Sequence, residues 1–236
     1  MRKPFRLKQF SIIDTNCAMK VSTDAVLLGA WAEIRNSKRI LDIGTGSGII
    51  AIMLAQRSTA QVDAIDIHLP SCKDADMNFE NCPWNERLHL YNLSFSDFLN
   101  ARKNKYDLIV SNPPYHNRSL KSPSDKVNLS RHTISLSHEE LIMGIKKILH
   151  PDGIFCIILP FSEFQNFKQL SINEGLFCLH ECFVLPKTNK PVNRVLIEFG
   201  LLHPSEIQRS EITIRNSVGD YHESYKELTK DFYLHF

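Results

Sequence analysis

The segment Leu41-Asp42-Ile43-Gly44-Thr45-Gly46-Ser47-Gly48 constrains this chain more than any other. It follows the apolar run Arg39 to Ile43 and leads into Ser47 to Arg57, whose Ile49, Ile50, Ile52, Met53 and Leu54 make a continuous apolar face. That is a buried strand passing through a glycine turn into a helix. Glycines let the backbone turn tightly and come close to a ligand. The helix N-terminus behind them favours negative charge. A dinucleotide fold asks for G-x-G-x-x-G, but the third position here is Ile49. The spacing is instead G-x-G-x-G with an acid, Asp42, two residues before the first glycine. Asp42, Gly44, Thr45, Gly46 and Gly48 are therefore candidate ligand contacts.

The pattern repeats downstream. Gln61 to Ile67, Arg87 to Tyr91, Tyr106 to Val110 and Ile154 to Leu159 read as strands. Ser71 to Cys82 and His138 to Leu149 read as helices, the second ended by Pro151 and Gly153. Alternating strands and helices imply βαβ units, an α/β fold and a mostly parallel sheet. Further on, Phe164 to Ile172 reads as a helix. Leu176 to Leu185 and Val192 to Leu202 read as an antiparallel pair, because the linker between them is short. A last helix is expected near Tyr221 to Asp231. Asp66 closes the second strand, where an acid can accept hydrogen bonds from both hydroxyls of a ribose. Asp97 follows the third strand. It suits either an acceptor for an adenine amino group or a helix N-cap.

The fourth strand stops at Asn112-Pro113-Pro114-Tyr115. Ligands of open α/β folds bind at that carboxyl edge. Two prolines remove two backbone donors and stiffen the turn. The Asn112 side-chain oxygen and the Pro113 carbonyl remain as acceptors. Two fixed acceptors can hold both hydrogens of an aromatic amine and draw its nitrogen out of conjugation. The lone pair then faces an electrophile, a matter of orientation and electrostatics with no strong base. Tyr115 offers a ring on which a planar base can stack.

The order of glycine loop, Asp66, Asp97 and Asn-Pro-Pro-Tyr resembles the class I (Rossmann-like) methyltransferases. That resemblance implies a seven-stranded sheet with helices on both faces and the last strand antiparallel, and S-adenosyl-L-methionine as cofactor. More narrowly, the chain resembles the bacterial tRNA(Val) adenine-N6 methyltransferases. Three segments carry this: Cys17 to Trp31; Asn112 to Tyr115 with Ser130-Arg131-His132; and Tyr225 to Phe236. Where the family usually has Ala before the Arg, this chain has Ser130. His68 stands where related enzymes often carry a second acid, so the ribose contact should rest on Asp66. The resemblance implies that Met19 to Trp31 lies over the cofactor, with Lys20 and Thr23 in contact, and that the partner is the anticodon loop of a tRNA. Residues 1–36 would be an N-terminal cover on a single domain spanning 1–236. Asn-Pro-Pro-Tyr alone also occurs in enzymes acting on DNA adenine, on guanine N2 in ribosomal RNA and on glutamine in release factors. Glutamine-N5 methylation of a protein, and a non-catalytic cofactor- or RNA-binding module, therefore stay open.

Charge is nearly balanced, at +2 over 236 residues, so any nucleic-acid partner must be met by a local patch. Basic residues gather at Arg2, Lys3, Arg6 and Lys8, and at Arg118, Lys121, Lys126 and Arg131. The apolar runs fall short of the ~18 residues a membrane span needs, and no signal peptide is apparent, so a cytoplasmic monomer is expected. Six scattered cysteines form no C-x-x-C pair. They read as reduced, buried thiols, with no metal site. On that basis the N-x-S/T matches at Asn92, Asn117 and Asn128 are chance.

Overall fold

The computed structural model of the chain describes residues 3–113 and 136–236. A small hairpin, β1 (Phe5–Arg6) and β2 (Ser11–Ile12), leads into α1 (Thr23–Trp31). The alternating part runs β3 (Arg39–Ile43), α2 (Ile49–Arg57), β4 (Gln61–Ile65), α3 (Leu69–Glu80), β5 (Leu88–Tyr91), α4 (Phe95–Ala101) and β6 (Tyr106–Ser111). After it come α5 (His138–Ile148), β7 (Leu149–Pro160), α6 (Phe161–Asn173), β8 (Phe177–Leu185), β9 (Arg194–Gly200), β10 (Gln208–Thr213) and α7 (Glu223–Thr229).

The larger sheet has eight strands in the order β10-β8-β9-β7-β6-β3-β4-β5. Strands β3 to β7 are mutually parallel, and β9 lies antiparallel between β7 and β8. Seven strands thus reproduce the expected arrangement. The eighth, β10, extends it by adding in parallel to the outer edge of β8. The antiparallel strand is therefore not the last in the chain. Sequence patterning did not reveal β10 because Gln208-Arg209-Ser210-Glu211 are all exposed, and a charged edge strand resists further pairing.

One strand feeds two cores. On β7, Ile154, Cys156 and Ile158 join a core with α1, α2 and α7, while Phe155, Ile157 and Leu159 join another with α4, α5 and α6. The period of two turns alternate side chains to opposite faces, so a strand covered on both sides is apolar throughout. Phe155, Phe167 and Phe199 meet in the second core, with centroids 5.8 to 6.5 Å apart. Ser137 and Glu140 form a reciprocal capping box that fixes where α5 begins.

The helix over residues 138–148 ends close to where expected, but Pro151 and Gly153 do not break the chain. They lie within β7, which reaches back to Leu149 instead of starting at Ile154. The ladder to β6 is irregular between Tyr106 and Leu108, and Pro151 is exposed. An irregularity of this kind tolerates a residue with no N–H. Gly153 is needed there, since a Cβ would stand 2.8 Å from the Tyr106 carbonyl oxygen and 3.0 Å from that of His150. Gly153→Ala is expected to destabilise the protein by about 1–3 kcal/mol, read as a lower denaturant midpoint at unchanged slope.

Candidate active site

Strands β3, β4, β5, β6 and β7 end at one edge of the sheet. The last register pair of β3 and β6 is Ile43 with Ser111, and the Ser111 hydroxyl donates to the Ile43 carbonyl at 3.0 Å. The next residues on the two strands are Gly44 and Asn112. Neighbouring strands lie about 5 Å apart, so the glycine loop and Asn112 start side by side. Asn112 and Pro113 are half-buried. Pro114, Tyr115, Arg2 and the basic residues Arg118, Lys121, Lys126 and Arg131 lie outside the described residues.

Gly44, Gly46 and Gly48 all take positive φ (74°, 56° and 81°). Gly48 caps α2, and a Cβ on it would meet the Phe79 ring at 2.4 Å. Nothing lies within 4 Å of a Cβ placed on Gly44 or Gly46, so the front of the loop is an open cradle. The amides of Gly44 and Thr45 both donate to the Ile65 carbonyl, and that of Gly46 donates to Asp66 Oδ2 at 2.8 Å. Asp42 is fully buried beneath the loop. Its Oδ2 accepts from the Thr45 hydroxyl at 2.6 Å, while Oδ1 has no hydrogen-bond partner among the described residues. Burial pushes this carboxyl up to about 7; the Thr45 hydrogen bond opposes that shift and the charge of Asp66 adds to it.

Asp66 follows β4, half-buried, and its Oδ1 accepts from the His68 amide at 2.8 Å. His68 itself caps α3, with Nδ1 accepting from the Ser71 amide at 3.2 Å. Its place in the sequence is thus explained by helix capping. Asn92, just past β5, donates to the Asp66 carbonyl at 2.9 Å and ties the second and third strand ends together. Asp97 is exposed in the first turn of α4. The N-cap is Ser94, which accepts from the Asp97 amide and donates to Asp97 Oδ2 at 2.5 Å. The capping alternative for Asp97 is therefore corrected by three residues, because a hydroxyl at 94 reaches the third helical amide.

The N-terminal arm is fixed by two residues that sequence reasoning missed. The buried Asp74 of α3 accepts from the amides of Asn16 (2.6 Å) and Cys17 (3.1 Å) and from Asn16 Nδ2 (2.7 Å). Asn78, one turn on, pairs with both backbone groups of Ile13 and also donates to the Ser47 carbonyl, each at 2.8 Å. Asn78 thereby joins the arm to the glycine loop. The partners lie 58 and 65 residues away, and the one available signal was a polar pair spaced i, i+4 on a helix. Lys20 is exposed and donates to the Asp14 and Thr15 carbonyls; Thr23 is exposed as the first residue of α1, with Ser22 as its cap. Lys8 donates to the Lys230 carbonyl. All six cysteines are free and buried, and burial pushes Cys17 up to about 12 and Cys72 up to about 11. Among the described residues no cluster of three or more His, Cys, Asp or Glu could hold a metal, and no helix is long and apolar enough to cross a membrane.

The order β5-β4-β3-β6-β7-β9-β8, with a glycine loop after β3 and an acid after β4, defines a class I S-adenosylmethionine-dependent methyltransferase. Solved structures agree on the fold. A predicted O-methyltransferase from Agrobacterium tumefaciens superposes with a TM-score of 0.69 at 16% identity, over 89% of this chain and 96% of its own. M. capricolum TrmK, in complex with S-adenosyl-homocysteine, gives 0.54 at 16% identity, over 80% of this chain and 72% of its own. The family model of the methyltransferase small domain matches residues 19–170. The tRNA1(Val) (adenine(37)-N6)-methyltransferase of Parabacteroides distasonis is 43% identical over 98% of this chain and 97% of its own. Proteins of that name from Bacteroides fragilis (99% of each chain) and Photorhabdus laumondii (100% and 97%) are 39% and 36% identical. The chain belongs to this tRNA1(Val) (adenine(37)-N6)-methyltransferase family.

The residues present fit the cofactor. The cradle at Gly44 and Gly46 is open to a nucleoside, and Asp66 oxygens keep lone pairs for hydroxyl donors. The unpartnered Asp42 Oδ1 lies beneath. Ionising Asp42 costs folding stability, since its folded pKa lies above the ordinary value of about 4. That cost is absent below about pH 4, grows between about pH 4 and 7, and is constant above. Asp42→Asn is thus expected to stabilise the cofactor-free protein at pH 8, by up to ~4 kcal/mol, and to lose the advantage toward pH 4. Thermal melts at both ends check this; a pH-independent difference would contradict it.

Proposed function

We propose that this protein transfers the methyl group of S-adenosylmethionine to the exocyclic N6 amine of an adenine in tRNA, at position 37 of tRNA1(Val). The observation that carries this is the placement of Asn112 beside Gly44, one residue past the Ser111–Ile43 pair. The relatives' names supply the substrate.

The cofactor supplies a methyl group on a positively charged sulfur. Asp66 would accept from the ribose hydroxyls, and Asp97 would accept from the adenine amino group of the cofactor. Asp42 with Thr45 shapes the glycine loop, whose Gly44, Gly46 and Gly48 give it room. Lys20 and Thr23 would contact the cofactor from the arm, and residues 1–36 would form a cover on the same domain. At the other side, the Asn112 side-chain oxygen and the Pro113 carbonyl accept the two N–H groups of the target amine. Both bonds pull the nitrogen out of conjugation and aim its lone pair at the methyl. Once alkylated, the nitrogen releases one proton to solvent, so no side-chain base is needed. Pro114 stiffens the turn and Tyr115 stacks on the target base, which is first extruded from its loop. The basic residues at 2–8 and 118–131 are expected to meet phosphate. The expected setting is the cytoplasm, where tRNA is met, with the chain acting as a monomer.

Incubating the protein with labelled S-adenosylmethionine and unmodified tRNA, then identifying nucleosides by mass spectrometry, tests the reading. N6-methyladenosine in tRNA1(Val) is expected; label in a peptide glutamine or DNA instead would overturn it. Asn112→Ala is expected to slow methylation by roughly 10²–10³ while leaving cofactor affinity within a fewfold. Equal losses in rate and cofactor binding would contradict the assigned role.

A further inference from the structure

A second feature at the same sheet edge has no part in this chemistry. β7 runs three residues past Ile157, the partner of Ser111, to Pro160. Phe161 then opens α6, one strand over from Asn112 and on the order of 10 Å away. It is 43% exposed, unusual for an aromatic ring beside a core. Behind it stand Phe164 and Phe183, with centroids 6.1 Å from Phe161 and 5.9 Å from each other. These rings, with Lys168, Glu181 and Arg209, line a groove of about 370 Å³ between α6 and the β8–β10 edge.

The groove is preformed, and its rim is cationic. The buried Glu181 carboxylate accepts from Lys168 at 2.5 Å and from Arg209 at 3.1 Å. Burial raises its pKa, but the two cations more than offset that and hold the carboxyl below the usual range. Glu211, opposite Phe183 in register and on the same face as Arg209, balances the wall at two acids to two bases, so the excess positive charge lies at the rim. Past the end of β8, Lys187 and Lys190 lie in the loop to β9 at the same edge, and neither forms an ion pair with any described residue. The nearest acid on α6, Glu163, is turned to His138 at 3.5 Å.

We infer that this groove seats a nucleotide of the RNA strand adjacent to the methylated base, its base stacking on Phe161 and its phosphates meeting Lys187 and Lys190. The inference rests on the proposed tRNA substrate. An extruded base drags its neighbours out of stack. An aromatic platform beside the site restores that stacking, for any base, because every base has a π-face. A cationic rim with unpaired lysines suits phosphate better than an apolar protein surface.

Steady-state methylation of unmodified tRNA by the full chain tests it, comparing wild type, Phe161→Ala, Phe161→Tyr and the double variant Lys187→Ala/Lys190→Ala. Phe161→Ala is expected to raise KM for tRNA about ten- to a hundredfold, with KM for the cofactor unchanged, and Phe161→Tyr to stay near wild type. The lysine pair is expected to raise KM for tRNA and to flatten its dependence on log salt by about 1.5 units. A KM for tRNA within twofold of wild type in both Phe161→Ala and the lysine variant overturns the groove. So does a second copy of the chain bound through Phe161 in sedimentation. A wild type that methylates no tRNA fails earlier and sinks the underlying reading, so the two failures are distinguishable.

Discussion

The parallel pairing of β3 with β6 is the constraint on which the rest depends. Its last rung, Ile43 with Ser111, places Gly44, which begins the glycine loop, beside Asn112, the proposed acceptor for the target amine. On the proposed reading, donor and acceptor thus emerge from neighbouring strands, and no long loop has to bring them together. The same rung also sorts the apolar side chains. Ile40, Leu108 and Val110 go to one core, Leu41, Ile43 and Ile109 to the other. Slipping the register by one residue would exchange the faces of a whole strand. Packing free energy and catalytic alignment are therefore enforced by one set of contacts.

Around this rung the protein accepts local costs. Three glycines hold backbone conformations that other residues rarely adopt, and a carboxyl sits fully buried with one oxygen unpaired among the described residues. Such features concentrate at functional sites and persist because the surroundings fix them. Here the surroundings are concrete: Phe79 beneath Gly48, the Ile65 carbonyl taking two loop amides, Asp66 taking a third, and Asn78 holding Ser47. The loop is held from three elements while its front stays open. That is how a glycine-rich segment can be a rigid template.

Much of this was legible in the sequence because it is local. Arg39 to Ile43 and Gln61 to Ile65 announce themselves as apolar runs bounded by turn residues. The glycine spacing excluded a dinucleotide fold without any structure. What escaped was non-local or lacked contrast. Asp74 and Asn78 look like ordinary polar residues on a helix until the arm, far away in sequence, folds onto them. β10 has a polar sequence because its first four residues are exposed on both faces at the edge of the sheet. Pro151 and Gly153 looked like breakers because local rules cannot register that a neighbouring strand accommodates a bulge. The exposed ring of Phe161 gave no warning either, since its significance lies in which strand end it follows.

The meeting of the two ends of the chain carries a consequence in time. The Lys8 amide donates to the Phe232 carbonyl, and Lys8 Nζ reaches the Lys230 carbonyl, 222 residues on. Phe5 stacks edge-on against Tyr233, and the Tyr225 and Tyr233 hydroxyls bond at 2.9 Å beneath. A ribosome adding about 5–20 residues per second releases the first partner tens of seconds before the last. During that interval the sheet can form and Phe10 can pack against Trp84, but Phe5 and Lys8 still lack their partners at 230–233. The hairpin thus completes only once residues 230–233 have been made, and until then the clamp at Asp74 and Asn78 and the Phe10–Trp84 contact carry the arm.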